Sequence, residues 1–459
     1  MPPLPVIANR VERGRYLDSV ALMRISRRVG ALPGVEAAAL MIGTPSNKAL
    51  LRDAGLLSAD GECAEPNDLV IAVRGAAAGA ALDAALALLA ERPAGRADDV
   101  RRAGSLRRAL ELEPRANLAL VSVPGEFAAA EARRALERGL NAMVFSDNVP
   151  IEEEVALKRL ARERGLLLMG PDCGTALIAG APLAFANAVP RGDIGIASAS
   201  GTGLQEVSSL IARMGGGVSH GIGVGGRDLD ERVGALGMLA AIELLDADPA
   251  TRVLVLISKP PAAAVAQRVL ARLRKSSKRA VVCFLGASEP GLARTLTEAA
   301  EQATQRALPA ATSQLPRVKG SVRGLYCGGT LAAEAALILR GMHAPGECID
   351  LGDDRYTRGR PHPMIEPELR NAHIAAALAD ASVAVLLFDV VLGYGSHPDP
   401  AGVLAAAVRG ARKALVASVT GTEQDPQGYS RQVAVLREAG VVVAASNAQA
   451  AALAAVLVS

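Results

Sequence analysis

Apolar and polar positions follow a repeated pattern along most of this chain. From Asn117 onward, each short apolar run is followed by a corner rich in glycine, proline or serine and then by an alanine-rich helical stretch. Examples of a strand with its corner are NLALVSVPGE, LLLMGPDCG, GDIGIASASGTG and RAVVCFLGAS. Continuous apolar strands with helical crossovers are typical of parallel sheets covered by helices on both faces. The pattern therefore predicts an α/β protein.

The first hundred residues show the same alternation on a smaller scale. Strand and helix signals follow one another in PVIANRVE, SVALMRISRRVGAL, GVEAAALMIG, DLVIAVRG and AALDAALALLAER. Two β–α–β passes in so short a span predict a small ferredoxin-like domain. The charged stretch from Pro93 to Ala116, with prolines near both ends, is expected to be a helical connector.

Composition and charge exclude several function classes. The 459 residues carry 50 basic and 47 acidic side chains along the whole chain, so no nucleic-acid footprint appears. Aromatic content is 2% and tryptophan is absent, which disfavours base-stacking platforms. Five cysteines without a CxxC spacing argue against disulfides and zinc. With no long apolar segment, we expect a cytoplasmic protein without a membrane anchor.

Two strand-to-helix corners repeat a short signature. Ser200-Gly201-Thr202 aligns with Gly328-Gly329-Thr330, and Glu206 aligns with Glu334 at the same offset. A helix N-terminus carries unpaired amides and partial positive charge, so each corner could hold a phosphate or carboxylate. The alternative is that Ser and Thr only cap the helices. The glycine loop with Gly225 and Gly226 is a further anion-binding candidate.

Several corners in order carry a family resemblance. From Asn117 to Ala287, the corners VPGEF, FSDNVP, MGPDCG, IASASGTG and GIGVGG resemble the α subunit of succinyl-CoA synthetase and the NDP-forming acyl-CoA synthetases. From about Arg323 to the end, the chain resembles the carboxyl-terminal domain of the β subunit. The resemblance implies a CoA-like pocket at the first three corners, formed by Pro124, Gly125, Asp147, Asn148, Pro171 and Asp172.

The resemblance and the hydrophobic pattern together predict four domains. Residues 1–95 are expected to form the ferredoxin-like domain, and 96–188 a linker helix with a truncated CoA-binding-like Rossmann domain. Two flavodoxin-like domains follow, a succinyl-CoA synthetase α-like one at 189–312 and a β carboxyl-terminal-like one at 313–459.

The chain departs from the resembled enzymes at their phosphate relay. Those enzymes carry phosphate on a histidine after the last strand of the α subunit, whereas the segment here reads EPGLARTLTEAAEQ. Ser258 or Lys259 stands where the supporting glutamate is expected. The chain also matches the family's CoA-binding Rossmann domain only from its middle onward, at VPGEF. Its length leaves no room for an ATP-grasp module. We therefore do not expect a complete ATP-dependent CoA ligase.

The fusion, with its small first domain, resembles the FdrA family, which is tied to carbamoyl transfer in purine and allantoin breakdown as one subunit of an oxamate carbamoyltransferase. The resemblance implies a phosphate-dependent carbamoyltransferase subunit that binds carbamoyl phosphate at the paired helix N-termini. One alternative is a CoA ligase subunit that needs a separate nucleotide module, and another is a non-catalytic regulator or scaffold that binds CoA or a metabolite. We expect an anionic small-molecule substrate and a homo- or hetero-oligomer. CoA, phosphate and Mg²⁺ are the candidate cofactors, and no metal ligand set is assigned.

Further candidate residues lie in the carboxyl-terminal block. His397 and Asp389 are the catalytic candidates: His397 follows the strand that contains Asp389, and histidine is a side chain suited to proton transfer to a leaving amide nitrogen. The alternative is a loop histidine that bonds a neighbouring aspartate. Arg355, Arg358 and Arg360 could grip substrate carboxylates, or be only solvated. Minor candidates are the acidic pair Asp353 and Asp354 for a divalent ion, Cys173 at its corner and Lys48 in the first domain.

Overall fold

The computed structural model describes residues 6–15, 17, 19–90, 103–287, 289–309, 315–357 and 361–458. The chain divides into two compact units. The first comprises Met1–Arg102 with Thr357–Pro361, and the second comprises Ala103–Tyr356 with His362–Ser459. The predicted arginines Arg358 and Arg360, and residues 93–102 of the predicted connector, lie outside the described residues.

The first unit contains a three-stranded antiparallel sheet in the order β1-β3-β2. Its central strand is apolar and fully buried from Leu69 to Val73, which is why it lies between the other two. The elements are β1 Val6–Glu12, α1 Ser19–Gly30, β2 Val35–Ile42, α2 Pro45–Asp53, α3 Ala59–Glu62, β3 Leu69–Gly75 and α4 Ala78–Ala90. The sheet confirms the ferredoxin-like prediction.

The second unit begins with a small parallel sheet of Rossmann type, in the order β4-β5-β6. Alanines of its first long helix, such as Ala128 and Ala132, are fully buried against the sheet. The elements are α5 Leu106–Leu112, β4 Leu118–Val121, α6 Gly125–Glu137, β5 Asn141–Val144, α7 Ile151–Glu163 and β6 Leu168–Met169.

The next sheet has six strands in the order β12-β11-β9-β10-β7-β8. Its elements are β7 Thr175–Ile178, β8 Ala181–Ala184, β9 Ile194–Ser198, α8 Gly201–Arg213, β10 Val218–Gly223, α9 Leu236–Ala247, β11 Val253–Ser258, α10 Ala263–Leu273, β12 Arg279–Phe284 and α11 Leu296–Thr304. The hairpin β7–β8 joins this sheet through Leu177, which pairs with Gly221 of β10. Its residues fall within the range 96–188, which was predicted for the linker helix and the truncated Rossmann domain. The hairpin thereby covers what would otherwise be an open edge of β10.

The last sheet is parallel, in the order β14-β13-β15-β16-β17. A 3₁₀ turn at Pro367–Arg370 precedes α14. The elements are β13 Ser321–Tyr326, α12 Gly329–Gly341, β14 Gly346–Asp350, α13 Asp354–Thr357, α14 Asn371–Ala379, β15 Val383–Val391, α15 Pro400–Val408, β16 Ala414–Thr420, α16 Tyr429–Glu438, β17 Val442–Ala444 and α17 Asn447–Val458.

The two larger sheets share one topology, and the predicted α/β class is confirmed. Counted from β9 and from β13, the first four strands of each sheet lie in the order 2-1-3-4, as in flavodoxin-like folds. One hydrophobic core joins the two flavodoxin-like domains that these sheets form, with Val207 of α8 and Leu331 of α12 among its members. In the described part of the chain, no helix is long and apolar enough to span a bilayer.

Candidate functional site

The two corners that share a sequence signature meet directly in the structure. Ser200 caps α8 by accepting a hydrogen bond from the Gly203 amide at 2.9 Å, and its hydroxyl donates to the Thr330 hydroxyl at 2.6 Å. A Cβ atom on Gly328 would lie 3.1 Å from the Thr202 methyl carbon. The absence of a side chain at Gly328 therefore permits the close approach of the two helix ends.

The first two amides of each helix have no acceptor in the described part of the chain. Among the described residues, nothing accepts a hydrogen bond from the amides of Gly201 and Thr202 in α8 or of Gly329 and Thr330 in α12. Gly201, Thr202 and Gly329 are partly exposed, whereas Thr330 is buried. Unbonded amides at two helix N-termini carry converging partial positive charge. This arrangement can bind an anion. Ser200 also caps α8, which is the alternative role that the sequence predicts for it.

Asp389 holds the second corner in place. Its carboxylate accepts hydrogen bonds from the amides of Cys327 and Gly328 at 2.8 and 2.7 Å, and Arg370 pairs with it at 3.1 Å. Both charged side chains are buried. Burial raises the pKa of Asp389, while the Arg370 guanidinium opposes that shift. These contacts give Asp389 a positioning role at the backbone of its own domain, and the catalytic role predicted for it stays a prediction.

Lys259 and Asp350 flank the α12 corner, and the sequence had not singled out Asp350. A Cβ atom on Gly329 would lie 3.5 Å from the Lys259 Nζ atom and in contact with the Asp350 carboxylate. Burial raises the pKa of Asp350 to about 6, against the opposing effect of Lys259. Lys259 is exposed and also lowers the pKa of Asp172. Its ammonium group therefore supplies positive charge beside the N-terminus of α12.

The three predicted corners of the CoA-like pocket lie together at one edge of the small Rossmann sheet. Pro124 precedes α6, and a Cβ atom on Gly125 would contact the main-chain oxygen of Asp147. The Asp172 amide donates to the Ser146 oxygen at 3.0 Å, which places Pro171 and Asp172 beside the Asp147–Asn148 turn. Burial raises the pKa of Asp172 to about 6, and Asp147 and Asp354 raise it further. Binding of CoA here stays a prediction.

A buried lysine, missed by the sequence analysis, fixes the glycine loop with Gly225 and Gly226. The Lys158 ammonium donates to Glu154 at 2.7 Å, to Asp228 at 2.6 Å and to the main-chain oxygen of Val224 at 3.0 Å. Asp228 in turn accepts hydrogen bonds from the Gly237 and Met238 amides in the first turn of α9. A Cβ atom on Gly225 would contact the Pro171 oxygen. The glycine loop therefore lies against the predicted CoA-like pocket.

His397 and Arg355 make local contacts. The Nδ1 atom of His397 accepts a hydrogen bond from the Asp399 amide at 3.0 Å, and among the described residues no bond joins His397 to Asp389. The catalytic role predicted for His397 stays a prediction. Arg355 lies 3.5 Å from Asp353 and packs over the Tyr356 ring.

The minor candidates have structural contacts. Cys173 is buried and its thiol donates to the main-chain oxygen of Gly223. Lys48 donates to the main-chain oxygens of Glu62 and Ala64. Within the described ranges, no group of three or more His, Cys, Asp or Glu side chains could hold a metal ion. Asp353 and Asp354 therefore belong to no such group.

Comparison with known proteins shows the family. A CoA-ligase model matches residues 325–457, and a model described as "AllF, heavy metal-associated domain" matches residues 6–104. The uncharacterized protein YahF of Escherichia coli K12 is 42% identical over an alignment of 493 residues, which covers 95% of this chain and 96% of YahF. The chain belongs to the YahF family. The matched CoA-ligase region contains α12 and the corner at Gly328.

Solved structures share only a distant likeness with this YahF-family chain. A dinucleotide-forming acetyl-CoA synthetase from Ca. Korarchaeum cryptofilum, in complex with phosphate and ADP, is 17% identical and covers 74% of this chain and 82% of its own, with a TM-score of 0.32. PH0766 from Pyrococcus horikoshii is 18% identical over 79% of this chain and 87% of its own, with a TM-score of 0.34. ATP citrate lyase from Methanothrix soehngenii is 20% identical over 44% of this chain and 37% of its own, with a TM-score of 0.35.

The heavy-metal association in the first domain's family description does not fit the residues present. Residues 6–104 contain one cysteine, Cys63, and no histidine. Soft heavy metals are held by several thiolate or imidazole ligands. A single exposed thiol cannot supply such a set. The domain has the ferredoxin-like fold without the ligands for a heavy-metal site.

Proposed function

We propose that this chain is the acyl-transfer subunit of a CoA-ligase-type enzyme and that it binds the phosphate group of an acyl phosphate between α8 and α12. The observation that carries the proposal is the set of unbonded amides on two helices whose ends meet at the 2.6 Å Ser200–Thr330 contact. The CoA-ligase match over residues 325–457 supports it, because that region contains one of the two helices. The nucleotide module would belong to a partner subunit.

The chemistry needs no phosphohistidine when the acyl phosphate arrives preformed. CoA supplies the thiol: its sulfur bonds to the acyl carbon, the carbon–oxygen bond to phosphate breaks, phosphate leaves with the electron pair and the thiol proton passes to solvent. Positive charge from α8, α12 and Lys259 stabilises the departing phosphate. The five histidines, at 220, 343, 362, 373 and 397, all lie outside the segment where the resembled enzymes carry their relay.

A second candidate is carbamoyl transfer with oxamate as the acceptor, as the FdrA resemblance implies. The missing relay histidine favours it, because carbamoyl phosphate is itself a free acyl phosphate and its transfer requires no phosphorylated protein residue. The same facing helix ends would bind its phosphate. The acceptor therefore separates the two candidates, and the phosphate cradle is common to both.

Turnover with preformed acyl phosphates tests the proposal without a nucleotide module. We expect acetyl-CoA to form from acetyl phosphate and CoA, and the Lys259→Met variant to lower the rate about tenfold to a hundredfold because one cation at the phosphate is lost. Lys275→Met, which removes another exposed lysine, should leave the rate unchanged. Product only from carbamoyl phosphate and oxamate would favour the second candidate. No turnover with either pair would contradict both and leave a scaffold role.

A further inference from the structure

Asp350 has a free carboxylate oxygen beside the N-terminus of α12. The residue ends β14, and its Oδ1 atom accepts a hydrogen bond from the Gly352 amide at 2.9 Å. Its Oδ2 atom contacts the position that a Cβ atom on Gly329 would occupy. Among the described residues, no group donates a hydrogen bond to Oδ2, and the side chain is partly exposed. The Gly352 amide therefore holds the carboxylate with one oxygen turned toward the corner.

Lys259 approaches the same position from the other flavodoxin-like domain. Its Nζ atom lies 3.5 Å from the Cβ position of Gly329. Within the described part of the chain, Lys259 and Asp350 form no ion pair, so the two charged groups share the corner without direct contact. An ammonium group that contacts a carboxylate lies about 2.7 to 2.9 Å from it. The wider separation here leaves room for an oxygen of a phosphoryl group on Oδ2 to lie between the two.

A carboxylate at this corner opposes the simple binding of phosphate. Like charges repel, and Asp350 lies next to a helix end at which the phosphate of the proposed acyl phosphate would bind. A carboxylate that reacts with the phosphate has a reason to be there, because aspartate is the nucleophile of enzymes that form an aspartyl phosphate. Burial raises the pKa of Asp350 to about 6, so its carboxylate is mostly ionised at neutral pH. The Ser200 hydroxyl, by contrast, is engaged by Thr330 and the Gly203 amide.

We propose that Asp350 is a phosphoryl carrier. Its Oδ2 atom attacks the phosphorus of an acyl phosphate, a new oxygen–phosphorus bond forms, the bond from phosphorus to the acyl oxygen breaks, and the acid leaves as a carboxylate with the electron pair. No proton is transferred. In the reverse step, an aspartyl phosphate loaded by the partner's nucleotide module passes its phosphoryl group to a substrate carboxylate and forms the acyl phosphate in place. This inference rests on the proposed function, whose acyl phosphate it supplies.

Labelling of the full chain with acetyl phosphate that carries radioactive phosphorus, without CoA and with magnesium present, tests the carrier. We expect up to one phosphoryl group per chain, lost in hydroxylamine and in alkali, and borohydride reduction with peptide mass analysis should place it on Asp350. Asp350→Asn should abolish the label, and Lys259→Met should slow labelling about tenfold because a cation at the phosphoryl oxygens is lost. Glu347→Gln, which neutralises an exposed carboxylate on the same strand, should be labelled as the wild type is.

The wild-type measurement does not depend on the folding of any variant. A wild-type chain without label on Asp350 would overturn the carrier, and the carboxylate would then only complement the positive end of α12. Acetyl-CoA formed by that unlabelled chain from acetyl phosphate and CoA would show that acyl transfer proceeds without a carrier. Label on Asp350 without acetyl-CoA would support the carrier and count against acyl transfer to CoA. A label that resists hydroxylamine, or that maps to another residue, would also contradict the assignment.

Discussion

Arg370→Ala is expected to lower the free energy of unfolding by about 3 to 5 kcal/mol, because it leaves the Asp389 carboxylate buried without its cation. Arg370 is 2% exposed and Asp389 is fully buried, and the two are 3.1 Å apart. The arginine also donates to the main-chain oxygen of Asp389 at 2.8 Å, so its loss removes a backbone contact too. Urea unfolding at pH 7 measures the change.

Arg323→Ala is the matched control, since Arg323 lies on β13 and pairs with Glu347 near the surface at 3.1 Å. Exposed ion pairs contribute about 0 to 1 kcal/mol, so this variant should stay close to the wild type. A loss from Arg370→Ala no larger than that of the control would contradict the positioning role assigned to the Arg370–Asp389 pair. The corner at Cys327 and Gly328 would then need another explanation for its geometry.

Lys158→Met is expected to lower the free energy of unfolding by about 3 to 5 kcal/mol relative to the wild type, because it removes one partner of a buried ion pair. The methionine keeps the apolar volume but leaves Glu154 and Asp228 facing each other without the ammonium group that bonds both. Asp228 would still accept hydrogen bonds from the Gly237 and Met238 amides, and Arg227 would still pair with Glu154 at 2.8 Å. We therefore expect a folded but weakened chain in urea unfolding.

The neighbouring Arg159→Met substitution controls for charge on α7, because Arg159 is exposed. Surface substitutions of this kind usually change stability by less than about 0.5 kcal/mol. Hydrogen exchange should also rise in the segment from Gly223 to Met238 for Lys158→Met only. An equal response of both variants would show that the buried network does not hold the glycine loop.

Much of the fold could be predicted because its signals are local. Apolar strands such as that ending at Ser198, each followed by a glycine corner, specify parallel sheets with covering helices. The repeated Gly-Thr-x-x-x-Glu corners predicted two equivalent helix starts. The sheet to which the hairpin β7–β8 belongs could not be predicted, because its pairing with β10 depends on which sheet edge is free in the folded chain.

The candidate site was predictable in part. Ser200 and Thr330 were singled out by their corners, but their mutual hydrogen bond joins residues 130 positions apart and has no local signal. Asp389 carried a signal that was interpreted as catalytic: a charge inside the apolar run VAVLLFDVV must find a buried partner. Its partner Arg370 lies before α14, outside any motif. Lys158 could not be singled out either, because the charge spacing of its amphipathic helix is ordinary.

Calorimetric titration with acetyl phosphate, at near-neutral pH with magnesium present, tests the central claim that the facing helix ends bind the phosphate of an acyl phosphate. We expect one binding site in the wild-type chain and at least about tenfold weaker binding in Thr202→Glu, because the added carboxylate repels the anion beside the unbonded amides. Ser430→Glu, at the start of α16, should bind as the wild type does. Unchanged affinity in Thr202→Glu, or no binding by the wild-type chain, would contradict the account.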